Sequence, residues 1–219
     1  GEIIPPTANF GETINEKTET NFVFSCELSQ RALSKMKERV YHLNEAVSKE
    51  KDYIDSLDNL LNYWKPALEK SKLIDPNQVR LMFMLIPRII EAHKAFYESL
   101  NRAMNFKSCV GWAFLKHCDS FKVASTFSTT YSTTDRLISE KSMNQKFATQ
   151  MQKIADGNPL GLTFLDCYVK PVQRYPRYPL IIKDILKTTP SWHRDRQFLE
   201  LAEVKLNQIV RDINHLTGR

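Results

Sequence analysis

Histidine and cysteine are the side chains most often used for nucleophilic or metal chemistry, and their spacing here excludes most of it. His42, His93, His117, His193 and His215 never stand in a ligand spacing such as HExxH. Cys26, Cys109, Cys118 and Cys167 form no CxxC pair and read as reduced thiols, mostly buried. No Walker-type phosphate loop, GxGxxG or GxSxG occurs. Neither a metal nor a cofactor is therefore expected, and the chain is expected to act by binding. The segment that stands out runs from Lys170 to Asp184, where Pro171, Pro176 and Pro179 interrupt a helical apolar stripe of Tyr175, Tyr178, Ile181, Ile182 and Ile185. An interior proline costs a helix about 3 kcal/mol. At about 100° per residue, Val172, Pro176, Pro179 and Lys183 fall on one side of this helix, away from the isoleucines. Prolines beside a lysine would form a rigid, donor-poor surface suited to docking another protein.

The elements that must position these residues are helical almost throughout. Leu33, Met36, Val40, Leu43, Val47, Ile54, Leu57, Leu61, Trp64 and Leu68 follow alternating steps of three and four, a seam of about ten turns. Glu50 occupies a seam position, between Leu43 and Ile54, where an apolar residue is expected. A core glutamate must be paired or protonated, so a structural salt bridge is predicted, with Arg174 as partner. Asp75-Pro76 reads as an N-cap followed by proline at the first helical position. Further helices are predicted near 76–96, 108–122, 125–140 and 143–155, and Pro190-Ser191 opens a final one carrying Phe198, Ala202, Leu206, Ile209, Ile213 and Leu216. Residues 1–28 lack a clear period and read as an N-terminal extension, docked through Phe22, Val23 and Phe24, ahead of a domain over 29–219.

Composition agrees with an all-α, elongated multi-helix bundle. Only 6 of 219 residues are glycine, which disfavours turn-rich β folds, and 42% hydrophobic with 26% charged residues fits a folded globular chain. The balance of 31 basic and 25 acidic residues gives +6, with the charges interspersed. No nucleic-acid partner is indicated, and an acidic partner or a membrane surface is compatible. No stretch is apolar enough to span a bilayer and no signal peptide is recognisable, so a cytoplasmic address is expected.

Lys170 to Pro190 closely resembles the third motif of Dbl homology domains, the exchange factors for Rho-family GTPases, usually written KPVQRIPRYxLLLKDLLKxTP. Glu45 to Ile54 is similar to the family's first motif, ELLxTERDYV. Phe83, Ile86, Ile89, His93 and Phe96 agree with the middle motif, and Val110 to Lys116 with IGDVFLK. Leu85, Pro87, Lys49 and Ala46 depart from the usual residues. The resemblance implies a Dbl-type bundle with a proline-kinked helix, and a Rho-, Rac- or Cdc42-type GTPase as partner. It implies that Glu45 contacts switch I, and that Lys183 and Asn214 reach switch II. On spacing alone, Glu45 and Lys183 read as solvated surface charges, and it is the resemblance that reverses this reading.

Tyr175, Pro176, Pro179 and Lys187 join the expected GTPase surface. Tyr175 stands where the family usually has Ile or Leu; it is expected on the rim, disfavouring GTPases with a Trp at the facing strand position. The alternative is a Tyr175 folded into the core beside Tyr178. The implied mechanism displaces Mg²⁺ and loosens the nucleotide without covalent chemistry. Family members usually carry a lipid-binding PH domain directly afterwards, so recruitment to membranes is expected through an adjacent domain. Two rival readings are an exchange-inactive Dbl-like scaffold and a membrane-binding bundle, which would leave the proline motif unexplained.

Overall fold

The computed structural model describes residues 16–104 and 109–217, with side-chain surroundings for 29–104 and 109–215; the expected docking of Phe22, Val23 and Phe24 lies outside those side chains. The first helix, α1 (Glu16–Asn59), passes through a π-helical turn at Leu60–Trp64 into α2 (Lys65–Ser71). The widened turn sits directly before Pro66, whose ring would otherwise press on the carbonyl one turn back. Together these segments form a rod roughly 80 Å long, starting well before Ser29.

α3 (Pro76–Phe83) is capped as expected, the Asp75 carboxylate accepting from Asn77 N and Gln78 N at 2.9 and 3.4 Å. Then come α4 (Ile86–Ala103), α5 (Val110–His117), a 3₁₀ turn (Cys118–Lys122), α6 (Val123–Ser142) and α7 (Gln145–Asp156). The chain returns through α8 (Phe164–Tyr168), α9 (Lys170–Arg174) and α10 (Arg177–Lys187) to α11 (Arg196–Thr217). No strand occurs among the described residues. The last helix starts at Arg196 rather than at Pro190, because Asp195 supplies the carbonyl that accepts from Leu199 N at 3.0 Å.

The three prolines of the motif are accommodated by dividing one helical path into short segments. Pro171 lies in the first turn of α9, Pro176 is the residue before α10, and Pro179 sits in the first turn of α10. First-turn N–H groups have no intrahelical acceptor, so proline forfeits little there. The kink is thus built from helix starts.

The core is aromatic. Trp64, Phe83, Phe127, Phe164 and Tyr168 pack at one end, and His93, Phe96, Phe114, Phe121, Tyr175 and Tyr178 around the middle. α1 packs along α4 and α10, while α11 packs along α5, α6 and α10. The seam is buried or half-buried from Leu43 onward, but Leu33, Met36 and Val40 are 51%, 44% and 49% exposed. Their periodicity marks an amphipathic face that the described residues leave uncovered.

α5 and α11 meet at Gly111. A methyl group there would stand 2.4 Å from Leu199 N and 2.8 Å from Phe198 C, so only glycine permits this approach. The α5 start is capped from outside its own segment. Asp195 accepts from Val110 N at 2.9 Å and Gly111 N at 2.8 Å, while Arg39 of α1 donates to the same carboxylate at 3.1 Å. Burial raises the Asp195 carboxyl above its ordinary range, and Arg39 with the two backbone donors offsets only part of that.

Candidate GTPase-binding face

α10 packs against α1 and against α11. Glu45 is exposed on α1 and lines a groove with His42, Ala46 and Lys49. Across it stand Arg174, Arg177, Leu180, Ile181 and Asp184. The floor is Ala46, small enough to let α10 approach. Leu180 is 54% exposed, and Arg177, Leu180, Lys183 and Lys187 run down the outside of α10 at helical spacing. Lys187 pairs with Asp184 at 2.7 Å, an exposed contact worth little by itself. Lys183 is exposed and, one residue from Asp184, is turned about 100° round α10 from it.

Asn214 is half-buried on α11. It follows Arg196 by roughly five turns and so shares that residue's flank. Arg196 reaches α10's end by donating to Thr189 O at 2.8 Å. Glu45, Lys183 and Asn214 thus stand on α1, α10 and α11, with α10 packed against the other two helices.

Two expected members of this surface are elsewhere. Tyr175 is wholly buried, its ring packed on Phe121, Tyr178 and His93, with its hydroxyl 2.7 Å from His93 Nε2. It belongs to the core and not to the rim. Pro179 is buried as well, and Pro176 is half-buried. Once α9 ends at Arg174, Tyr175 and Tyr178 both turn inward, which carries Pro179 onto the inner flank. The exposed side of α10 instead presents Arg177 and Leu180. Neither was singled out from the sequence, although Leu180 is an apolar residue off the isoleucine stripe and one turn before Lys183.

Directly behind the groove, Glu50 gathers three partners in the interior. Arg174 donates to Oε2 through Nη2 at 2.7 Å and Nε at 3.1 Å, and Tyr178 Oη donates to it at 2.8 Å. His93 Nδ1 lies 2.5 Å from Oε1, and the other ring nitrogen meets Tyr175. The Arg174 guanidinium also sits 4.8 Å from the Tyr178 ring centre. Burial would raise the Glu50 carboxyl, but His93 and Arg174 reverse this and hold it below the ordinary carboxylate range. Burial pushes the Tyr175 and Tyr178 hydroxyls upward, so both remain protonated donors. Arg174, at the end of α9, belongs both to this cluster and to the groove wall, and the cluster ties α1, α4, α9 and α10 together. Among the described residues no group of His, Cys, Asp or Glu is assembled to hold a metal.

The family model described as the RhoGEF domain matches residues 42–214, from the first residue of the groove to Asn214. The chain belongs to the RhoGEF, or Dbl homology, family. It is 30% identical over 182 residues to Rho guanine nucleotide exchange factor 17 of Homo sapiens, spanning 75% of this chain and 8% of that protein. Guanine exchange factor for Rac 30 of Dictyostelium discoideum is 27% identical over 184 residues, spanning 78% of this chain and 10% of its own. The RhoGEF fold is shared with the PDZ-RhoGEF DH/PH domains solved in complex with GTP-gamma-S activated RhoA. The TM-score is 0.74 at 19% identity, covering 84% of this chain and 55% of that one. The chain thus spans a small part of the curated relatives it matches and about half of the solved chain. Among the described residues no helix is long and apolar enough to cross a membrane.

Proposed function

We propose that this RhoGEF domain accelerates GDP release from a Rho-family GTPase by holding both of its switch regions on the α1–α10–α11 face. The observation that carries this reading is the exposure of Glu45 and Lys183 on adjacent helices, on either side of Leu180 and backed by the buried Glu50–Arg174 pair. A carboxylate at the groove and a lysine on its far side offer opposite charges to two neighbouring loops. The apolar Leu180 between them supplies area that association can bury. Glu45 is assigned to switch I, and Lys183 and Asn214 to switch II, with Arg177 and Lys187 extending the contact along α10.

A binding protein speeds nucleotide loss only through its preference for the state that lacks nucleotide. The face should therefore bind a nucleotide-free GTPase far more tightly than the GDP·Mg²⁺ form, burying upwards of about 2,000 Å² in total. Rigidity helps, because a preorganised face spends less of its binding energy on ordering itself. The cluster at Glu50 supplies that rigidity. Gel filtration with Rho-, Rac- and Cdc42-type GTPases tests the reading. A complex is expected to survive when nucleotide is stripped by a chelator and to dissociate when GDP and Mg²⁺ are returned; equal retention of both forms would contradict it.

A further inference from the structure

Two of the three tryptophans are exposed, and Trp112 shares a groove with three basic side chains. Trp112 on α5 is 53% exposed and Trp192, in the loop before α11, is 82% exposed. Tryptophan side chains joined into a contiguous exposed patch rimmed by polar residues mark an interaction surface. The Trp112 ring stands 5.6 Å from that of Phe198 on α11. The shallow groove around this pair is lined by Arg102, Lys116 and Arg194, and among the described residues no carboxylate lines it. Arg102 reaches Glu98 at 3.3 Å, but both are more than two thirds exposed and such a pair is weak. Trp192 lies two residues before Arg194, in the same loop that contributes this cation to the groove wall.

We propose that this face seats the domain on an anionic lipid bilayer, with Trp112 and Trp192 entering the headgroup region and Arg102, Lys116 and Arg194 meeting lipid phosphates and carboxylates. Indoles partition to the boundary between headgroups and acyl chains, and basic side chains nearby add attraction to anionic lipid. The geometry favours a surface over a small ligand. The three cations come from α4, α5 and the loop and are spread across the patch, not converged on one point. A groove for an acidic peptide would wall in its aromatic side chains, whereas Trp192 stands almost fully in solvent.

The placement is compatible with simultaneous GTPase binding. Phe198 is two residues from Arg196 and thus about 200° round α11 from the flank that Asn214 shares. The indole patch and the proposed GTPase face therefore occupy opposite flanks of this helix. Contact made by this domain itself would be additional to any made by a neighbouring lipid-binding domain.

Vesicle flotation with phosphatidylcholine alone and with added phosphatidylserine is the direct test. The protein should float with the phosphatidylserine vesicles and not with phosphatidylcholine alone. Brominated phosphatidylcholine included in the anionic vesicles should quench its fluorescence, since Trp64 is buried and lies outside the patch. Trp192→Ala, which removes a side chain from solvent and leaves packing intact, should weaken binding. The double variant with Trp112→Ala should weaken it further, to about a tenth or less. Lys116→Glu and Arg194→Glu should each cost roughly fivefold or more. None of these four substitutions should alter GDP release in solution, which separates failure here from failure of the proposed function. The proposal is overturned if anionic vesicles are not bound, or if binding is indifferent to both indoles. It is likewise overturned if an acidic polyglutamate peptide or a soluble inositol phosphate occupies the patch while vesicles do not.

Discussion

Glu50 and Arg174 stand 124 positions apart and meet in a two-point contact, 2.7 and 3.1 Å long, that joins α1 to the end of α9. The glutamate side chain is fully buried and the arginine 11% exposed, so neither partner has water to fall back on. Glu50→Ala should therefore strip Arg174, His93 and Tyr178 of a shared acceptor and cost about 3–5 kcal/mol. Chemical denaturation measures this; stability equal to the parent's would show the cluster to be dispensable.

Glu45 and Lys183 should behave in the opposite way. Both are exposed, and replacing either by alanine should move folding stability by no more than about 0.5 kcal/mol. Exchange should nevertheless fall at least about tenfold, the loss of roughly 1.4 kcal/mol of transition-state contact. A variant that exchanges normally, or melts far lower, would remove that residue from the face.

Tyr175 carries a prediction that reverses the one its sequence position suggests. With its ring in the core and its hydroxyl on His93, Tyr175→Ile should leave the ratio of exchange on Rac-type and Cdc42-type GTPases unchanged. It should destabilise the fold by about 2–4 kcal/mol, through lost aromatic volume and an unsatisfied imidazole. A changed ratio at unchanged stability would place the side chain back on the rim.

Gly111→Ala tests the approach of α5 to α11. The added methyl meets backbone atoms at 2.4 and 2.8 Å, which no rotamer change relieves. A loss of about 1–3 kcal/mol is expected in denaturant titration.

His117 sets a pH dependence. Burial lowers its pKa below the ordinary 6.5, and Ser99 Oγ lies 2.8 Å from Nε2. With the folded value depressed, the unfolded chain takes up the proton first, so stability present above pH 6.5 is lost as pH falls below it. His193 is shifted in the same direction, again by burial. The melting temperature should drop between neutral and mildly acidic pH, and His117→Gln should flatten the slope without abolishing it.

Much of this was legible in the residues. Glu50 could be placed in the interior because the steps from Leu43 and to Ile54 both fit the seam, and burial then demanded a cation, which the QR step of the third motif supplies. Asp75-Pro76 declared its cap. Tyr175 was misplaced because a motif fixes position along the chain, whereas side-chain direction is reset wherever a helix restarts. The break between α9 and α10 does this within two residues. Periodicity showed that Leu33, Met36 and Val40 share a face, but a period carries no information on how far the neighbouring helices extend. The meeting of Arg39, Asp195 and Gly111 had no local signature, since an aspartate that caps a distant helix looks like any other.

The most direct measurement is the release rate of fluorescent GDP from a Rho-, Rac- or Cdc42-type GTPase with and without this domain. At least one GTPase should lose nucleotide many times faster with the parent domain. The Glu45→Ala, Lys183→Ala double variant, folded to the same melting temperature, should return that rate close to the intrinsic one. Unaltered release from all three types, or equal acceleration by parent and double variant, would contradict the assignment of the α1–α10–α11 face to nucleotide exchange.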